Sequence, residues 1–324
     1  TDYNDELNIT RFMQVNLLTS EQLLEDGFFE KIEFDADGYI YYVIPSDEIS
    51  YSKSIATTAS MRDNRLVFAV TDREFKSIRN LLDRLIGLQS IHSNKKLLSE
   101  HNRLEEEISV LLAETQFEIR EFLQDFENFQ ENVRWFHQGD RLSVNHQVQL
   151  ENKISEVMYS MYPDTPEIRN DSINRRNLNG MQTKAIHTVL NNVIKTPNFE
   201  RLGIEGQGPD YLIYATVFKN HNLDISQLDQ ISYAPYRKLR ESLLSFIHTN
   251  KEGSVLELEN IFTSSPFGIR KPLIPLLFAG LLRDVWEQLM FYRNGMYVTA
   301  VDADKLYGMF NEPAEYQFVF NDYS

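Results

Sequence analysis

The sequence predicts a mainly α protein: a small N-terminal α+β unit, a bundle built on one long helix, and a C-terminal winged-helix-like module with a β-hairpin wing. Three observations predict it. Aromatic and apolar residues surround a Gly-containing turn at 35–38, an apolar seam recurs every three or four residues from about 94 to 135, and Asn294-Gly295 follows three helical patterns. The expected units are 1–71, 72–234 and 235–324.

In the first unit, Ile32 and Phe34, then Asp35-Ala36-Asp37-Gly38, then Tyr39 to Val43 read as two strands joined by a turn. Leu66 to Val70 is a third strand. The Ser/Thr-rich stretch from Ile49 to Asn64 lacks a firm period and reads as loop or weak helix. Asp35-x-Asp37-Gly38 resembles the start of a calcium loop but lacks the later acidic ligand, so it reads as a hairpin turn.

Thr71-Asp72 is expected to cap a helix through Phe75, Ile78, Leu81, Leu82, Leu85 and Ile86. The longer pattern that follows places Leu97, His101, Leu104, Ile108, Leu111, Thr115, Ile119, Phe122, Phe126, Phe129 and Val133 on a seam close to a coiled-coil heptad. A helix of about 40 residues would span roughly 60 Å, so it either folds as an antiparallel hairpin or bridges two lobes. Helices over about 144–161, 181–194 and 210–221 are separated by Tyr162-Pro163-Asp164-Thr165-Pro166 and by the glycine-rich 203–209. Those glycines have no Lys-Ser/Thr after them, so they read as a turn leading into a helix with Pro209 in its first turn rather than as a phosphate loop.

The last unit opens with an amphipathic helix from Tyr236 to Thr249. A helix capped by Ser254, with Glu257 three residues on, and a third from Lys271 to Asp284 come next. The hairpin signal at 288–299 completes the order helix, helix, helix, wing. The third helix is apolar almost all round, whereas a DNA-reading helix exposes polar donors, so it reads as a core helix of a protein-contact or architectural module.

Composition narrows function. Lys and Arg total 32 against 48 Asp and Glu, a formal net charge of −16, which opposes the counterion release that drives nucleic-acid binding; DNA is therefore disfavoured as a partner. Cysteine is absent, excluding disulfides, thiolate metal sites and thiol catalysis. The longest apolar run, 272–282, is too short to span a membrane, and the opening residues carry no signal peptide, so the expected location is cytoplasmic. The chain also opens without an initiator Met, which fits a segment of a longer protein.

No Walker A motif, no Gly-x-Ser-x-Gly and no His-Glu-x-x-His is present, and the seven His are dispersed; His101 and His137 read as packed or solvated residues. No catalytic, cofactor or metal residue is assigned. The most unusual polar run is Arg169-Asn170-Asp171-Ser172-Ile173-Asn174-Arg175-Arg176-Asn177. Arg169, Asn170, Arg175 and Arg176, with Lys271 beside the third helix and Arg293 at the wing tip, form the candidate contact set for a partner's carboxylates or for phosphates. The alternative is that these arginines pair with internal acids and the asparagines cap helices.

The stretches Tyr162 to Asn170, Asn174-Arg175-Arg176, Leu202 to Gly206 and Pro266-Phe267-Gly268-Ile269-Arg270 with Pro275-Leu276-Leu277 resemble a family of very large bacterial ATPases similar to those encoded near restriction and phage-defence genes. The likeness covers roughly 72–320. It implies a non-catalytic scaffold region that docks protein partners or the remainder of a larger chain and couples motion. Two competing expectations are a nucleic-acid-binding module using a local basic surface and a hydrolase whose acids converge from distant positions.

Overall fold

A computed structural model describes residues 1–29, 36–95, 98, 102–175 and 177–322. In chain order its main elements are α1 (Asp2–Leu7), β1 (Met13–Thr19), α2 (Ser20–Leu23), β2 (Gly38–Ile44), α3 (Glu48–Ser60), β3 (Leu66–Thr71), α4 (Lys76–Ser93), α5 (Asn102–Glu127), β4 (Val133–His137), β5 (Asp140–Leu142), α6 (Gln147–Met161), α7 (Gly180–Lys195), α8 (Pro209–Val217), α9 (Ala234–Asn250), β6 (Glu252–Ser254), α10 (Val255–Thr263), α11 (Ile274–Leu281), β7 (Leu289–Arg293), β8 (Met296–Tyr297), α12 (Ala303–Asn311) and β9 (Tyr316–Phe320). The protein is mainly α, with one mixed and one antiparallel sheet. No helix among the described residues is long and apolar enough to cross a membrane.

The chain divides into two compact units, 11–157 and 1–10 with 158–324. Neither expected boundary, after 71 or after 234, coincides with this division. Residue 71 lies inside a sheet, because β4 returns after the helices to pair with β3. Residue 235 lies inside a continuous core that runs from Ile168 to Phe320.

Unit 11–157 is a three-layer arrangement around a sheet of order β1-β2-β3-β4-β5, in which the first three strands are parallel and the last two antiparallel. The predicted hairpin at 30–44 is corrected. Ile32, Phe34 and Asp35 lie outside the described residues, and both edges of β2 are taken by parallel neighbours, with Tyr41 facing Asn16 on one side and Phe68 on the other. Continuous apolar runs are what a sheet covered on both faces requires, and β2 and β3 are buried almost throughout. Tyr39, Tyr41, Val43, Leu66, Phe68 and Val70 pack on one face, while Ile40, Ile44, Val67 and Ala69 pack against α4 and α5 on the other.

Residues 48–60, expected as loop or weak helix, form α3, started by a capping box in which Asp47 and Ser50 satisfy each other's backbone N–H. Thr71 ends β3 rather than capping a helix; its Oγ1 accepts from the Arg73 N–H at 3.2 Å. The long helix is shorter than expected. Leu97 and His101 lie outside the described residues, α5 ends at Glu127, and Val133 and Trp135 belong to β4. Of the two expected arrangements the antiparallel hairpin is found: Arg73 pairs with Asp125, and Arg84 lies near Glu114 and Glu118. Of the expected seam Ile108, Thr115, Ile119, Phe122 and Phe126 are buried, whereas Leu104 is half-buried and Leu111 exposed.

The other unit is built on one large core. α7, α8, α9, α10, α11 and α12 meet there with the sheet β6-β9-β7-β8. Gly208 caps α8 with Pro209 at its first position, and Ser254 with Glu257 forms the expected capping box on α10. Asn294 and Gly295 take φ of 50° and 79°, the pair of positive values that a two-residue hairpin turn needs. Every residue of α11 is buried, in agreement with its all-round apolar sequence. The segment Thr1–Thr10 belongs to this unit: the Tyr3 hydroxyl donates to Thr165 Oγ1 at 2.9 Å, and Arg270 donates to the Thr10 carbonyl.

Candidate functional site

The polar run at 167–175 folds as a set of tight turns tied to the N-terminal segment. Asn174 is buried and donates to the carbonyls of Asn8 and Ile168 at 2.8 and 3.3 Å, while Asn8 donates to Asp171 Oδ1 at 2.8 Å. Asn170 donates to Thr216 Oγ1 and accepts from the Ser172 N–H at 3.2 Å. The asparagines therefore hold backbone, because this turn leaves amide and carbonyl groups without ladder partners.

Each described cation of the expected contact set is engaged inside the chain. Arg169 pairs with Glu167, and Arg175 donates through Nε to the Asp171 carbonyl at 2.6 Å. Lys271 sits 2.8 Å from Glu259, whose side chain is only 3% exposed, so it neutralises a buried carboxylate. Arg293 is clamped by Glu312 at 2.9 Å and by Glu315, which together with its ring contact to Tyr316 holds it at the hairpin tip. The Glu315 hydrogen bond pushes the Arg293 guanidinium pKa up further. Arg176 lies outside the described residues. Of the set, Arg169 and Asn170 share one loop with Arg175, whereas Lys271 and Arg293 stand on other elements with partners of their own.

A polar concavity borders this loop. A cleft of about 540 Å³ is lined by Glu167, Arg169, Asn220, His221, Ser232 and Tyr233 among others. His221 Nε2 lies 2.7 Å from the Glu167 carbonyl, which can only accept, so the ring proton sits on Nε2 and Nδ1 is an acceptor. The imidazole stacks on Tyr233 at 4.1 Å and meets the edge of Tyr236 at 5.2 Å. Tyr233 Oη accepts from the Glu167 N–H at 2.9 Å, and the fully buried Tyr236 donates to the Val217 carbonyl at 2.8 Å.

Burial lowers the His221 pKa against the opposing effect of its carbonyl partner, and it raises those of Tyr233 and Tyr236. The aromatic box is thus held neutral, and the cleft offers hydrogen-bonding groups plus the Glu167–Arg169 ion pair. Such a set suits recognition by polar contacts.

A His–Asp pair exists elsewhere, His187 Nδ1 to Asp304 Oδ1 at 2.7 Å, but His187 Nε2 is buried and has no hydrogen-bond partner among the described residues. Among the described residues no cluster of three or more His, Asp or Glu could hold a metal ion. His137 packs on β4 with Nε2 3.0 Å from the Asn64 carbonyl, as a core histidine.

His221, Tyr233 and Tyr236 were not singled out by the sequence. Tyr233 and Tyr236 are three apart at a helix start, a spacing that puts both on one side, yet nothing linear connects them to His221 in the preceding turn.

No family model matches the chain, and neither a curated protein nor a solved structure matches it.

Proposed function

We propose that the chain is a non-catalytic scaffold and interaction region of a larger, defence-associated ATPase, docking protein partners or the rest of that chain and coupling their motion in the cytoplasm. The observation that carries this reading is the internal engagement of the basic residues: Arg169 on Glu167, Lys271 on Glu259 and Arg293 on Glu312 and Glu315 leave these cations occupied rather than offered to phosphate. With a net charge of −16, such a surface repels a nucleic-acid backbone.

The order α9, β6, α10, α11, β7-β8 supports reading 235–324 as a winged-helix-like module. The helix that would enter a DNA groove, α11, is buried along its whole length, which favours a protein-contact role for the module.

The test uses the purified chain in two assays. ATP hydrolysis is expected to equal that of a mock preparation, and duplex DNA lacking 5′ phosphates is expected to show no retention at low salt. Turnover above the mock, or salt-sensitive duplex binding weakened by Arg175→Ala, refutes the reading.

A further inference from the structure

The backbone after α7 takes an uncommon path. Arg201, Leu202 and Gly203 adopt left-handed conformations in succession, with φ of 54°, 57° and 74°. Side-chain-bearing residues occupy that region only when their surroundings over-determine it, and such places concentrate at ligand clamps. Here the buried Leu202 side chain anchors the turn, and the Leu202 carbonyl accepts from Thr196 Oγ1 at 3.0 Å.

The turn has two consequences for side chains. Phe199 is left 64% exposed, and Arg201 is laid across Tyr211 with its guanidinium 4.2 Å from the ring centroid. Lys219, from the turn after α8, brings Nζ to 6.0 Å from the same centroid and 3.3 Å from the Tyr211 hydroxyl. Unlike Arg169, Lys271 and Arg293, neither cation pairs with a carboxylate among the described residues; Arg201 donates to the Gly206 carbonyl. Both line a cleft of about 480 Å³ together with Phe199, Asn222 and Ser226. Of the two acids there, Asp224 is turned onto Ser226, accepting from its N–H at 2.9 Å and its Oγ–H at 2.6 Å, and Glu200 stands as the other.

We propose that this cleft binds a phosphate monoester attached to a planar base, the chemistry shared by a free nucleoside monophosphate and the 5′ end of a nucleic-acid strand. The Arg201 guanidinium and the Lys219 ammonium, on two residues that line the cleft, meet the phosphate. The exposed Phe199 ring supplies a stacking face for the base. Asn222 supplies neutral hydrogen bonds, and the volume suits a ligand of that size. The inference is independent of the scaffold reading, since it requires binding and no hydrolysis.

The test is isothermal titration of the whole chain with AMP, inorganic phosphate and a 5′-phosphorylated tetranucleotide. AMP is expected to saturate, with Arg201→Gln and Lys219→Ala each weakening it about tenfold or more. Phe199→Ala should weaken AMP and leave phosphate unchanged, and Glu200→Gln should tighten both. Lys219 lies on a surface turn away from the unusual backbone, so its variant keeps the test valid if Arg201→Gln misfolds; unchanged Trp286 fluorescence checks the fold. Binding of the tetranucleotide well above AMP identifies a strand end as the source, and equal binding identifies the free nucleotide. Failure of both to saturate at millimolar concentration, indifference of binding to both cation variants, or phosphate binding as tight as AMP overturns the proposal.

Discussion

Replacing Arg11 by Met tests whether a single buried charge pair holds the strand order of unit 11–157. Arg11 and Asp37 meet at 3.0 Å with side chains 1% and 5% exposed, and Asp37 also accepts from the Phe12 N–H at 3.1 Å. This contact ties the chain two residues before β1 to the residue that precedes β2, next to the first register pair Met13–Gly38. Breaking a buried, hydrogen-bonded ion pair from one side costs about 3–5 kcal/mol. For a unit of roughly 150 residues that is on the order of 6–20 °C in melting temperature.

The assay is urea unfolding followed by Trp135 fluorescence in a Trp286→Phe background, because the chain has 2 Trp and only Trp135 lies in this unit. Arg65→Met is the control, since the Arg65–Asp63 pair is 41% and 30% exposed and such pairs contribute about 0–1 kcal/mol. The double variant Arg11→Met/Asp37→Asn should recover part of the loss, because the buried negative charge goes with its cation. If Arg11→Met costs no more than Arg65→Met, the reasoning fails.

Two further outcomes are expected. Phe278 is fully buried against Phe262, Trp286, Phe291 and Phe310, so Phe278→Ala should cost about 3–5 kcal/mol, read as earlier unfolding by Trp286 with the Trp135 transition unmoved. Burial holds the His221 pKa below its ordinary value of 6.5, so as pH falls through that value the unfolded chain takes up a proton that the folded chain refuses. Stability is therefore full above that range and declines on acidification, and His221→Asn should flatten the decline in Tm measured from pH 7.5 down to 5; an unchanged slope contradicts the account.

Much of the local structure was legible in the residues. The Ser254–Glu257 cap, Pro209 at a helix start, the Asn294-Gly295 turn and the buried α11 each follow from requirements of one or two neighbouring residues, and each is where the sequence places it. The α5 seam was legible for the same reason, because a helix shows its periodicity over every turn. The segment 39–44 reads in the sequence as half a hairpin, whereas in the fold it is a parallel strand between two others. An apolar run without alternation states that both faces of a strand are covered but not which strands cover its edges.

What the sequence by itself determined, then, is the periodic helices, several caps and turns, and a net charge of −16. Only the tertiary structure decided the pairing of β2 with β1 and β3, the return of β4 to the same sheet, and the meeting of His221 with Tyr233 and of Arg201 with Lys219 across Tyr211. Caps and periods are enforced by backbone geometry within a few residues. Sheet edges, aromatic boxes and unpaired cations are settled by which distant surfaces exclude water together, and that competition leaves no mark at any single position.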